Sequence, residues 1–258
     1  MKLKLTKIPG AIEELNNLTK DLAPGALLKL DSPALTGSNF YKLMQTLEVL
    51  DASFASSAGL TSAGMQLLAQ IAGASPSLRK IDISYNSLGE NGAPVAKALA
   101  GSTTLESVDI SGNKLRKNGV GVAKALASST TLKSVDISWN DLGESGAPVA
   151  KALAGSTTLK SVKIDRNNLG ENGVDVAKIF AGSHSLSNLN VGFSTMPKER
   201  VTAIEEIIQD HNSSIAIIGA IGDIHSSGAG LEYGVIGDVI KAVAISTGDY
   251  FENIITVT

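Results

Sequence analysis

Four carboxylates recur at one position of a repeating phrase: Asp51, Asp82, Asp109 and Asp136, continued by Lys163 and Asn190. From Asp82 onward the step is constant (109 − 82 = 27, 136 − 109 = 27). On neighbouring strands, which lie roughly 4.8 Å apart, a ladder of carboxylates repels itself and favours a cationic partner or counter-ions. Repetition alone also produces such a column, and Arg79, Lys133 and Lys160 stand close enough in sequence to neutralise it. Three residues further on, a second position reads Phe54, Tyr85, Gly112, Trp139, Arg166 and Phe193, and it holds the single tryptophan of the chain. A position that varies within a near-identical array is not dictated by packing, and Tyr, Trp and Arg dominate interface energetics. Covering of the strand ends is the plainer account of the same side chains.

Nothing else in the chain resembles catalytic machinery. No Gly-x-x-x-x-Gly-Lys-Ser/Thr loop is present to cradle phosphates, no Gly-x-Ser-x-Gly elbow and no His-Glu-x-x-His helix. The glycines at 228, 230 and 234 fall one residue out of step with a dinucleotide fingerprint. Cysteine is absent, which removes disulfides and thiolate metal sites and fits a reducing compartment. His184, His211 and His225 have no ligand spacing between them, and Lys97, Lys124, Lys151 and Lys178 read as a solvated helix face. The chain is therefore expected to be no enzyme, to carry no cofactor and to hold no metal.

The elements that position these columns follow from the period. Asn86, Asn113, Asn140 and Asn167 keep the 27-residue step, as do Leu78, Leu105, Leu132, Leu159 and Leu186. Residues 78–104 and 132–158 agree at 21 of 27 positions. Each unit opens on near-alternating apolar residues (Leu78, Ile81, Ile83), as a short strand does, and continues through residues 92–101 with helical spacing. Pro94 suits a first helical turn, and Gly101 offers a left-handed stop. A strand and helix of this size cannot bury their own apolar edge, so copies must stack. The asparagines are expected to satisfy buried backbone groups of adjacent turns.

The phrase Leu-x-x-Ile-Asp-Ile-Ser-x-Asn-x-Leu-Gly-Glu-x-Gly resembles the leucine-rich repeat of ribonuclease inhibitors and Ran GTPase-activating proteins, most closely over residues 78–185. The resemblance implies an α/β horseshoe, a solenoid with parallel strands inside the curve and helices outside, whose concave face binds partners. GTPase activation is an activity of relatives with this repeat, but no functional motif of theirs maps onto a residue here, and fold does not imply function. Ala-rich, cysteine-free arrays are also similar to repeat proteins of intracellular bacteria, some of them effectors delivered into a host cell.

Weaker copies extend the array. Residues 27–31 and 47–54 read as earlier strands, with helices over 37–45 and 61–72; residues 186–191 begin a later unit with a helix over 197–210. Residues 1–23, with a helix over 9–21, form an N-terminal cap; 24–214 are the repeats; 215–258 are a C-terminal cap or a last irregular repeat, with strands at 215–221 and 254–257 around a helix at 234–244. A net charge of −3 gives no basic footprint for nucleic acid, residues 1–18 lack a signal-peptide core, and no apolar run is long enough for a bilayer. The expectation is a monomeric protein-binding scaffold, cytoplasmic or delivered into a host cytosol. Its concave face carries Asp82, Asp109, Asp136 and Lys163 beside Phe54, Tyr85, Trp139, Arg166 and Phe193. A small-GTPase activator and a self-assembling structural protein are the competing classes.

Overall fold

A computed structural model describes residues 1–23 and 28–191, and the backbone of a strand at Ala216–Ile218. Within these residues each copy of the repeat from β2 to β6 contributes one three-residue strand and one outer α-helix. The strands β1 (Lys2–Lys4), β2 (Val49–Asp51), β3 (Lys80–Asp82), β4 (Ser107–Asp109), β5 (Ser134–Asp136), β6 (Ser161–Lys163), β7 (Asn188–Asn190) and β8 (Ala216–Ile218) form one sheet. They stand in sequence order, and every neighbouring pair is parallel. Helices α1 (Ala11–Thr19), α2 (Pro33–Thr36), α3 (Asn39–Met44), α4 (Ser62–Ala74), α5 (Gly92–Ala100), α6 (Gly119–Ala127), α7 (Gly146–Ala154) and α8 (Asn172–Ala181) connect them.

The core lies between the sheet and the helices. In one repeat Leu78, Ile81, Ile83 and Leu88 enter it from the strand side and Val95, Ala96 and Leu99 from α5, all buried. Neighbouring repeats supply equivalent side chains, so the core runs as one continuous stack. Small residues on the helices let this thin layer close: a Cβ on Gly73 of α4 would run into the Ala98 carbonyl of α5. Aromatic scarcity does not empty the core of rings, since Phe40 and Phe180 are both buried in it.

Side chains of Asn and Ser stitch the turns together. Asn113 Oδ1 accepts the Asn86 amide at 2.9 Å, and Asn113 Nδ2 donates to the carbonyls of Ile83 and Ile110 at 3.0 Å each. Asn86, Asn140 and Asn167 repeat this pattern. At the other end of each strand, Ser102 Oγ accepts the amides of Thr104 and Leu105, and Thr104 Oγ1 donates back to Ser75 and Leu78 carbonyls. Every buried polar side-chain atom among the described residues is satisfied.

Two expectations need correcting. Gly101 ends α5 with right-handed angles (φ −73°), and Ser128 does the same for α6, so no left-handed glycine stops these helices. The buried serine and its accepted amides turn the chain instead. Residues 28–31 form no strand; the sheet begins with Lys2–Lys4, which pairs directly with β2. The N-terminal segment therefore supplies a strand as well as a helix, α1, that packs on α4. The strand expected near 215–221 is present as β8 and pairs with β7. The helices at 197–210 and 234–244 and the strand at 254–257 lie outside the described residues.

Candidate partner-binding face

Because the central residue of each strand (Leu50, Ile81, Val108, Val135, Val162) is buried, its two neighbours face outward on the concave side. The register sets one row as Lys4, Asp51, Asp82, Asp109, Asp136, Lys163 and Asn190. The four carboxylates thus lie between two lysines. Lys4 Nζ is 3.7 Å from Asp51, and Lys163 Nζ is 3.4 Å from Asp136. Asp82 and Asp109 have no ion-pair partner among the described residues. The flanking cations do not neutralise them as expected: Arg79 and Lys133 both reach Glu106, at 3.7 and 3.1 Å. Their row, one residue past each repeat leucine, lines a shallow groove with Lys160 and threonines 104, 131 and 158.

Each ladder aspartate also has local work. Asp51 Oδ1 accepts the Ser53 amide at 3.0 Å and its hydroxyl at 2.6 Å, and Asp82 does the same with Ser84. Asp109 and Asp136 accept the amides of Ser111 and Ser138. Ser138 turns its hydroxyl to Asp165 of the next repeat, where the serine column is replaced by a carboxylate. Electrostatic surroundings separate the ladder members. Burial raises the Asp51 carboxyl, but the Ser53 bonds together with Lys4 and Lys2 prevail and hold it below its ordinary value. Burial pushes the Asp109 carboxyl up; Asp136 and Asp82 add to this, against the opposing Ser111 bonds.

The second column lies at the C-terminal end of the strands, and its backbone is unusual. Phe54, Tyr85, Gly112, Trp139 and Arg166 all have positive φ, between 55° and 66°. Their conformation is held by bonds between repeats: the amides of Phe54, Tyr85, Gly112 and Trp139 donate to the carbonyls of Ser84, Ser111, Ser138 and Asp165. Left-handed angles cost a non-glycine residue roughly 1–2 kcal/mol, so this ladder over-determines them. Nothing in the residue types of the column announced it.

These angles lay the side chains along the rim. Phe54 and Tyr85 stack in parallel with ring centroids 4.8 Å apart, which is the strand spacing. Tyr85 leans over Gly112, where a Cβ would fall 2.6 Å from its ring. Arg166 lies over the Trp139 indole, its guanidinium carbon 4.7 Å from the centroid. The large exposed hydrophobics of the described residues are Met1, Phe54 at 49%, Tyr85 at 41% and Trp139 at 50%. Three of these four belong to this one column. Asp82 and Asp109 precede Tyr85 and Gly112 by three residues each, so the two columns run side by side. Phe193 lies outside the described residues.

The remaining candidates are scattered. Lys97, Lys124, Lys151 and Lys178 are exposed on the outer helices, and His184 is an exposed loop residue. Among the described residues no three His, Cys, Asp or Glu side chains come together as a metal site, and no helix is long and apolar enough to cross a membrane.

An eight-stranded parallel sheet in strict sequence order, with one outer α-helix in each turn from β2 to β7, defines a β/α repeat solenoid. The family described as Leucine Rich repeat matches residues 101–121 and 128–147, each spanning the end of one repeat and the start of the next. Those two segments are similar to leucine-rich repeats, and the 27-residue step they belong to runs from Leu78 to Leu186. No curated protein sequence matches this chain. Among solved structures it is similar to the leucine-rich repeat-containing protein LegL7 from Legionella pneumophila, at 17% identity. That superposition covers 96% of this chain and 98% of the other, with a TM-score of 0.39.

Proposed function

We propose that this protein is a non-enzymatic scaffold that binds another protein through the concave strands and the adjoining rim of Phe54, Tyr85, Trp139 and Arg166. The observation that carries this reading is the gathering of Phe54, Tyr85 and Trp139, exposed, in a single column. Exposed aromatic rings next to a polar rim are the usual anchors of an interface. Asp82, Asp109, Asp136 and Lys163 give the same face a patterned charge. Small-GTPase activation and delivery into a host cell, both raised by the resemblance, find no residue among the described ones to carry them.

Affinity capture from bacterial and eukaryotic lysates tests the reading, with wild type beside a Tyr85→Ala/Trp139→Ala/Arg166→Ala variant. A partner held by wild type and lost by the folded variant is the expected result. Capture unaffected by the three substitutions overturns the assignment of the surface. Concentration-dependent oligomers with no foreign partner favour a structural role instead.

A further inference from the structure

We propose that the partner bound on this face presents a basic segment, with an arginine or lysine side chain set against Asp82 and Asp109 beside the rings of Tyr85 and Trp139. This deepens the binding reading above and rests on it.

Charge supplies the first reason. The outer members of the aspartate row, Asp51 and Asp136, are paired with Lys4 and Lys163, while Asp82 and Asp109 in the middle have no ion-pair partner among the described residues. An apolar or anionic partner covering this stretch would strip water from two carboxylates and leave them uncompensated, which is costly. A cation compensates both. The upward displacement of the Asp109 carboxyl by burial and by its two like-charged neighbours is the signature of a place that lacks positive charge.

The rings supply the second reason, independent of the carboxylates. Trp139 already accepts a guanidinium, that of Arg166, at cation–π distance. Arg166 comes from the repeat after Trp139, whereas the residue on the preceding side of the column is Gly112. Gly112 itself places no side chain against the Trp139 indole. The strands that carry Tyr85 and Trp139 are two spacings apart, about 10 Å, with Gly112 between them. Tyr85 leans into this interval from the far side. Two exposed aromatic rings thus run beside the row that holds Asp82 and Asp109, a combination suited to a cationic head on an apolar stem.

Trp139 is the only tryptophan in the chain, so its emission reports on this face directly. The full chain is titrated with hexa-arginine, hexaglutamate and a neutral Gly/Ser hexapeptide at low and at high salt. Hexa-arginine alone should give a saturable change in Trp139 emission, weakened by salt. The Asp82→Asn/Asp109→Asn variant keeps the side-chain acceptors for Ser84 and Ser111 and should bind it about tenfold more weakly or worse. Glu13→Gln/Asp175→Asn removes two charges from the outer helices and should leave the affinity unchanged. Equal weakening by both double variants, binding of hexaglutamate, or no emission change overturns the proposal. If hexa-arginine fails while the Tyr85/Trp139/Arg166 variant still loses a captured protein, the scaffold stands and only the cationic chemistry falls.

Discussion

Asn140 Oδ1 accepts the main-chain N–H of Asn113 at 2.9 Å, one repeat earlier, while its own amide donates to the Ile110 and Ile137 carbonyls at 3.1 and 3.0 Å. A single buried side chain thus joins two repeats. Asn140→Ala leaves the Asn113 N–H and the carbonyls without these partners in a dry interior. With roughly 1–3 kcal/mol for each buried group left unsatisfied, we expect a loss of about 3 kcal/mol or more. Urea unfolding measures it; a loss below 1 kcal/mol, in the range of an ordinary surface substitution, would count against the stitching role.

Gly112→Ala should separate backbone strain from ring packing. The residue has φ +66°, and its new Cβ would meet the Tyr85 ring. We expect a loss of about 1–3 kcal/mol, from the left-handed penalty and the displaced ring. Tyr85→Ala in the same background should recover the part due to the ring. No recovery would assign the whole cost to the backbone.

Two ladder aspartates should respond to pH in opposite ways. The Asp109 carboxyl lies above its ordinary 3.8 in the fold, so the fold binds that proton more tightly than the unfolded chain does. Stability is lost as pH rises from 3.8 through the raised value, and the deficit persists above it. Asp109→Asn should therefore raise Tm near neutral pH and give no gain well below 3.8. The Asp51 carboxyl is lowered, so its contribution is present above 3.8 and is lost as pH falls through the folded value. Asp51→Asn should lower Tm near neutrality, with the difference closing in acid. Parallel shifts for the two variants would contradict this assignment.

Arg166→Ala should uncover the Trp139 indole. Arg166 also approaches Asp165 at 3.7 Å, but the Arg166 side chain is itself exposed, so stability should fall by less than about 1 kcal/mol. Trp139 emission should change and collisional quenching should increase. Unaltered quenching would mean that the guanidinium does not cover the ring in solution.

The repeat was legible because a constant step of 27 places like residues on like positions; the asparagine column and the strand–helix alternation both follow from it. Short elements outside the step were harder. Lys2–Lys4 spans too few residues to carry a period, while residues 27–31 show a similar alternation and form no strand where described. The left-handed column was hidden because Phe, Tyr, Trp and Arg occupy four of its described positions and glycine only one, at 112. Its conformation is imposed by amides that bond to the next repeat, a tertiary cause. The pairing of Arg79 and Lys133 with Glu106 likewise needs the register, which sets all three in one row across the sheet.

The strict register makes the molecule a ruler graduated in whole copies. Joining Thr104 to Leu132 would excise residues 105–131, a single graduation (131 − 104 = 27), and bring Leu132 to the place of Leu105. Tyr85 and Trp139 would then be next-door neighbours, with Gly112 and Asp109 gone. Insertion of a copy would move them apart by one notch. A binding face built in this way can be resized by recombination between near-identical segments, with no new core to invent.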